Sequence, residues 1–115
     1  MTRDNADIKN SWARDAAVKL ARKLYGRRIE DSARVIRALL EMEETGSGAA
    51  MLTFKELLQK TGLSEWRLRR AIDFLILTEV VGRKQRIMYC LVVKPPEDLE
   101  LFLAARAAFR LAGDD

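Results

Sequence analysis

Residues 53–93 decide the fold of this chain: TFKELLQKTGLSEWRLRRAIDFLILTEVVGRKQRIMYCLVV. Up to residue 77 the apolar side chains recur at helical spacing, and after it β-branched and aromatic residues flank a basic cluster. This change of period predicts two helices followed by a β-hairpin. Two helices joined by a short turn that contains glycine form a helix-turn-helix pattern.

Local signals mark where these helices begin and end. Thr53 followed by Glu56 predicts a capping box, and Gly62 ends the first helix. Ser64 is the N-cap candidate of the second helix, residues 65–77. The side chains of this second helix that are predicted to be buried are Leu68, Ala71, Ile72 and Leu75.

The predicted hairpin has strands at residues 80–81 and 87–93 around a basic tip, residues 82–86. Pro95 and Pro96 end the second strand, and residues 97–111 read as a last helix with acidic residues in its first turn.

The chain before residue 53 predicts two more helices. The first, residues 7–25, has an apolar stripe of Trp12, Ala16, Leu20 and Leu24 that must pack on the body or on a partner. Gly26 ends it, and residues 27–29 form a basic link. The second, residues 31–44, has Asp31 or Ser32 as N-cap and an inward set of Ala33, Ile36, Leu39 and Leu40. Residues 46–50 read as a loop, and Met51 and Leu52 as a very short strand.

The bulk composition fits one globular domain of 115 residues with a net charge of +4. No apolar run is long enough to span a membrane, and a single cysteine fits a reducing cytosol. Positive charge is segregated: residues 9–37 carry nine basic against three acidic side chains, and residues 55–86 carry eight against four. Clustered positive charge favours a polyanionic partner, although a solvated helix face is the alternative for any one run.

The order helix, short strand, helix, turn, helix, hairpin resembles the winged helix-turn-helix superfamily of DNA-binding domains. The run Gly62-Leu63-Ser64, Leu68, Arg70-Ala71-Ile72, Leu75 and Val80-Val81 is similar to that of MarR-, ArsR- and PadR-like regulators. Glu79 stands where a glycine is common in those families. The resemblance covers about residues 31–93 and implies a mainly α fold with a small β-hairpin wing (α+β), extended by N- and C-terminal helices.

The resemblance implies that residues 65–77 read the major groove and that the wing contacts the DNA backbone or minor groove. Arg67 and Arg70 are the predicted base readers, Arg69 contacts phosphate or base, and Ser64 binds phosphate. The predicted DNA-binding residues are Ser64, Glu65, Trp66, Arg67, Arg69, Arg70, Arg83, Lys84 and Arg86.

Each of these assignments has a structural alternative. Trp66 is a core or interface residue in the alternative reading, and Arg69 pairs with Glu65 or Asp73 one turn away. A charged hairpin tip also protects a sheet edge from aggregation, without any nucleic acid.

Catalysis is not expected. The chain has no histidine, which removes the commonest general base and most zinc sites. Cys90 lies in an apolar strand and is a poor nucleophile, although redox sensing stays open. The glycines of residues 46–50 lack the Lys-Ser/Thr ending of a phosphate-binding loop. We therefore expect no enzymatic activity, no metal and no cofactor.

These observations predict three units: a basic amphipathic helix (1–30), the winged helix-turn-helix (31–94) and a C-terminal dimerisation helix (95–115). The expected function is sequence-specific binding of double-stranded DNA by a homodimeric transcriptional regulator, cytoplasmic and associated with the nucleoid. The dimer is predicted to form through Trp12, Leu20, Leu24, Leu99, Phe102 and Phe109. The alternatives are a protein–protein assembly subunit of a transcription or replication machine and a non-specific nucleic-acid or chromosome-binding protein.

Overall fold

The computed structural model describes the backbone of residues 2–44 and 51–113 and the side chains of residues 16–43 and 51–109. Its elements in chain order are α1 (Thr2–Glu44), β1 (Met51–Thr53), α2 (Phe54–Thr61), α3 (Glu65–Leu77), β2 (Val81–Lys84), β3 (Met88–Leu91) and α4 (Leu99–Gly113). The described chain is mainly helical with one small antiparallel sheet, which confirms the predicted α+β class at that level. No helix in this part of the chain is long and apolar enough to cross a membrane.

The N-terminal helix α1 corrects the prediction of two helices joined by a link. Tyr25 has non-helical dihedral angles (φ −120°, ψ 16°), so a kink lies beside Gly26, where the sequence predicted a helix end. The helix resumes at once, and residues 27–29 are helical. Because no new helix starts after residue 29, neither Asp31 nor Ser32 is an N-cap, and both side chains are buried. The predicted break after residue 25 is therefore present as a kink at Tyr25, whereas the predicted link at residues 27–29 is wrong because those residues are helical.

The starts of α2 and α3 are as predicted. Thr53 accepts a hydrogen bond from the Glu56 amide at 3.2 Å, and the Glu56 carboxylate accepts one from the Thr53 amide at 3.2 Å, which completes the capping box. Gly62 ends α2 with φ +70°, a left-handed conformation that only glycine adopts without strain. Ser64 caps α3 by accepting from the Arg67 amide at 3.2 Å.

The sheet has the strand order β1-β3-β2, with both pairs antiparallel. The short strand predicted around Met51 pairs with β3, and Met51 lies opposite Cys90. The hairpin closes more tightly than predicted, because Lys84 pairs with Met88 and only residues 85–87 form the turn. Arg83 and Lys84 therefore belong to β2 and not to the tip.

One hydrophobic core collects side chains from α1, α2, α3, α4 and the sheet, and α4 packs along α1. All four residues of α3 that were predicted to be inward are buried, and so is Phe74. On α1, Ala33, Ile36 and Leu39 are buried as predicted, whereas Leu40 is half-buried. Helix α1 continues through residue 30, where the sequence predicted a boundary between two units. The buried side chains of α4, which was predicted to be a separate unit, belong to the same core as the other helices.

The first half of α1 packs through a different face from the predicted one. Ala16, Leu20 and Leu24 are exposed, and the buried contact is made by Ala21 with the half-buried Ala17, Val18 and Tyr25. Of the two alternatives predicted for this stripe, packing on the body does not apply to Leu20 and Leu24, and packing on a partner stays a prediction. The side chain of Trp12 and the loop predicted at residues 46–50 lie outside the described residues.

Candidate nucleic-acid interface

Helix α3 is fixed to the body through its inner face. Its buried apolar residues pack into the core, and its backbone approaches α1 closely enough for the buried Ser32 hydroxyl to donate to the Ala71 carbonyl oxygen at 3.3 Å. A serine at this crossing keeps the two helices close because its side chain is small. The outer face of α3 is thereby held in one orientation relative to α1.

A second link between α1 and α3 is the ion pair of Asp31 and Arg67. The Arg67 Nη2 and Nε atoms donate to the two carboxylate oxygens of Asp31 at 2.6 and 3.0 Å, a two-pronged geometry. The Asp31 side chain is 5% exposed and that of Arg67 37%. The hydrogen bonds from Arg67 to Asp31, and then the charge of that carboxylate, raise the pKa of Arg67 above its ordinary value.

This pair changes the assignment that the sequence suggested for Arg67. Its guanidinium is turned toward α1, so in this conformation it positions α3 and does not project from the outer face. That Arg67 reads a base stays a prediction. The partner is 36 residues away in sequence, and the signal that could have found it was an acidic residue inside an otherwise apolar helix face at position 31.

The outer face of α3 carries Glu65, Trp66, Arg69, Arg70 and Asp73. Arg69 donates to the Glu65 carboxylate at 3.0 Å, as the structural alternative anticipated. Its guanidinium also lies over the ring of Phe54, 5.0 Å from the centroid, and that of Arg70 lies over the ring of Trp66 at 4.7 Å. Trp66 is 64% exposed, so it is an outward residue and not a core residue of this chain.

The hairpin carries three basic side chains within four residues, and Arg83 and Lys84 are neighbours on β2, so their side chains lie on opposite faces of the sheet. Arg83, Lys84 and Arg86 are all exposed, and the Arg83 guanidinium lies over the ring of Tyr89 at 5.7 Å. Gln85 and Arg86 have positive φ angles of 54° and 68°, which turn the chain sharply between the strands. Cys90 is buried on β3 beneath this surface, with its thiol 3.8 Å from the Gly82 carbonyl oxygen.

The net positive charge of this surface comes from the hairpin. On the outer face of α3, Arg69 and Arg70 are offset by Glu65 and Asp73, whereas the hairpin strands and turn carry three cations and no acid between residues 81 and 91. The positive charge of the hairpin is therefore not offset within the hairpin itself, whereas on α3 Arg69 pairs with Glu65 and Arg70 stacks on Trp66.

The six side chains predicted to form a dimer interface divide into three groups. Leu99 is buried inside this chain's own core and Phe102 is half-buried against it, so Leu99 does not reach a partner in this conformation. Leu20 and Leu24 on α1 and Phe109 on α4 are exposed, Phe109 by 81%. Trp12 lies outside the described side chains.

The residue that precedes the first hairpin strand has an unusual backbone conformation. Glu79, which directly precedes Val80 and β2, has φ +60°, a left-handed conformation. Glycine adopts this conformation without strain, whereas the Cβ atom of Glu79 makes it costly. Among the residues that the structure describes, no group of three or more acidic or cysteine side chains is arranged to hold a metal ion.

A comparison of the chain with protein-family models, with curated proteins and with solved structures finds no match. The functional interpretation therefore depends on the geometry and charge of the described residues.

Proposed function

We propose that this chain is a winged helix-turn-helix protein that binds double-stranded DNA, with α3 in the major groove and the β2–β3 hairpin as the wing. The observation that carries the proposal is that the inner face of α3 is fixed to α1 and the core, while the hairpin presents three exposed cations. The left-handed Gly62 turn, the Ser64 cap and the β1-β3-β2 sheet support the fold part of the proposal.

The roles within the proposed interface follow from the contacts. Arg70 and Arg69 are the proposed base contacts, because both project from the outer face of α3 and their contacts with Trp66 and Glu65 are to exposed side chains that water or DNA can replace. Arg67 is a positioning residue, because its guanidinium is held by the buried Asp31. Arg83, Lys84 and Arg86 contact phosphates, and the Ser64 end of α3 adds a phosphate contact through its amides.

We further propose that the regulator is a homodimer, since a single module of this size gives limited specificity and two copies read two half-sites. Among the side chains predicted to form that contact, Leu20, Leu24 and Phe109 are exposed. Leu99 is left out of the proposed interface because it is buried in this chain's core.

The test begins with selection of duplexes from a random library at physiological salt, followed by anisotropy titrations of a selected and a scrambled duplex. Arg70→Ala is expected to weaken binding of the selected duplex about tenfold to a hundredfold and to relax the preference, because a good arginine–guanine contact contributes about 1–3 kcal/mol of discrimination. Arg22→Ala, an exposed arginine on α1, is the matched control and is expected to change affinity less than threefold.

Two results would contradict the proposal. Equal affinity for selected and scrambled duplexes, combined with a large effect of Arg22→Ala, would indicate that α1 coats nucleic acid without reading it. No binding to either duplex would remove the proposed function.

The second candidate function is a protein–protein assembly module, and one observation favours it. Trp66 is both exposed and held by an arginine, and tryptophan and arginine are the residues that most often dominate protein interfaces. The two functions differ in their salt dependence, because DNA binding through phosphates weakens steeply as salt is added, whereas an apolar interface does not.

A further inference from the structure

Trp66 differs from Phe54 and Tyr89, the other aromatic side chains of the candidate interface, because its ring is largely exposed to solvent. Phe54 and Tyr89 each have an arginine over one face, and both are half-buried and packed against the core. Trp66 also has an arginine over its ring, Arg70 at 4.7 Å, but within the described part of the chain it does not belong to the core or to the side chains packed on it.

This arrangement leaves a large aromatic surface open to solvent beside fixed positive charge. The Trp66 side chain is 64% exposed and lies in the first turn of α3, one turn before Arg70. The guanidinium holds the indole by a cation–π contact, which limits its rotation before any ligand binds. A preorganised ring of this kind loses little conformational entropy when a second flat group stacks on it.

We propose that Trp66 stacks on an unpaired nucleobase, so that the preferred target of this surface is DNA with a flipped or unpaired base next to a duplex. Nucleobases stack on aromatic side chains irrespective of sequence, and the phosphates on either side of that base are drawn to Arg69, Arg70 and the hairpin cations. Charge favours this occupant over a protein: Glu65 and Asp73 only balance Arg69 and Arg70 on α3, and the hairpin adds three cations with no acid between residues 81 and 91. The inference depends on the proposed function and specifies its ligand.

The experiment uses the full chain with Trp12→Phe, which leaves Trp66 as the single tryptophan, since the sequence contains two. Three probes are titrated: a plain duplex, the same duplex with one bulged base, and single-stranded oligo-dT. We expect the bulged duplex to bind about tenfold more tightly than the plain one and to quench the Trp66 emission, because stacking on an aromatic ring strengthens binding by about that factor.

The variants separate stacking from a general loss of function. Trp66→Ala is expected to remove the tenfold advantage of the bulged duplex over the plain duplex, whereas Trp66→Phe is expected to retain part of that advantage. The alanine variant is expected to fold, because the side chain is exposed and alanine favours a helix. Leu77→Ala, which truncates another exposed apolar residue at the far end of α3, is the matched control and is expected to leave the advantage intact.

Three outcomes would overturn the inference. Equal binding of plain and bulged duplexes without quenching would reject base stacking while leaving the proposed DNA binding in place. No binding of any probe would reject both. A change in self-association of Trp66→Ala by light scattering, with unchanged affinity for all three probes, would identify Trp66 as a protein contact instead.

Discussion

The ion pair between Asp31 and Arg67 gives the sharpest test of how α3 is held. Asp31→Asn keeps the shape of the side chain but removes its charge and one of the two acceptors that Arg67 uses at 2.6 and 3.0 Å. We expect the protein to fold and to lose stability, because the buried end of the pair no longer matches the guanidinium.

The size of the loss follows from the burial of Asp31. A hydrogen bond to a charged group contributes about 1.5–3 kcal/mol. The exposed part of Arg67 lets its guanidinium turn partly to water, so the variant does not leave a fully buried cation. We therefore expect Asp31→Asn to lower the free energy of unfolding by about 1.5–3 kcal/mol. For a chain of this size that corresponds to a fall in Tm of about 6–12 °C.

The assay is urea unfolding followed by circular dichroism, with Glu65→Gln as the matched control. Glu65 also pairs with an arginine of α3, but both partners are largely exposed, so its loss is expected to cost at most about 0.5 kcal/mol. Equal losses in Asp31→Asn and Glu65→Gln would refute the reasoning, because the buried pair would then contribute no more than a solvated one.

Three further predictions concern single positions. Gly62→Ala is expected to destabilise the fold by about 1–2 kcal/mol because residue 62 has a left-handed backbone conformation, and not because of a clash, since an added methyl group meets no other atom. Gly26→Ala within α1 is expected to leave the stability equal or higher. Thermal denaturation of both variants checks this. Glu79→Gly is expected to raise the free energy of unfolding by up to about 1 kcal/mol, because it relieves the strain of a φ of +60°. The urea midpoint should rise accordingly, and a lower midpoint would contradict this. Hydrogen bonds from the Thr53 amide and hydroxyl lower the pKa of Glu56 below its ordinary 4.5, so the stability that its charge contributes is present above pH 4.5 and is lost as the pH falls through the lower folded-state pKa. The stability difference between the wild type and Glu56→Gln is therefore expected to shrink below pH 4.5, and a difference independent of pH would contradict this.

The parts of the fold that sequence alone predicted are those set by neighbours a few residues apart. The Thr53–Glu56 capping box spans three residues and the turn at Gly62 is a single backbone conformation, so both follow directly from the residues present. The inward set of α3 was also predictable, because one face of that helix is apolar and the opposite face is charged.

The sequence-based predictions were wrong where the local pattern allows two structures and tertiary contacts determine which one forms. The first half of α1 has apolar residues on adjacent faces, and its core contacts are made through the face of Ala21, while Leu20 and Leu24 are exposed. Asp31 reads as a cap because it precedes an apolar run, yet its carboxylate binds a guanidinium 36 residues later. Neither the buried face of α1 nor the partner of Asp31 can be predicted from residues within one helical turn.

The candidate site shows the same division. The sequence predicted which residues point outward from α3, including Glu65 and Asp73, but the stacking of Arg70 on Trp66 depends on rotamers that no pattern specifies. The removal of Arg67 from the outer face likewise depends on the tertiary contact with α1.

The most direct test of the proposed DNA binding is the salt dependence of affinity for a duplex. The wild type is compared with a variant in which Arg83, Lys84 and Arg86 are all replaced by glutamine. Each phosphate neutralised contributes about 0.9 to the slope of log K against log salt, so the three substitutions are expected to lower the magnitude of that slope by about 2.7. An unchanged slope in a folded variant would contradict the account, because the hairpin would then not contact DNA.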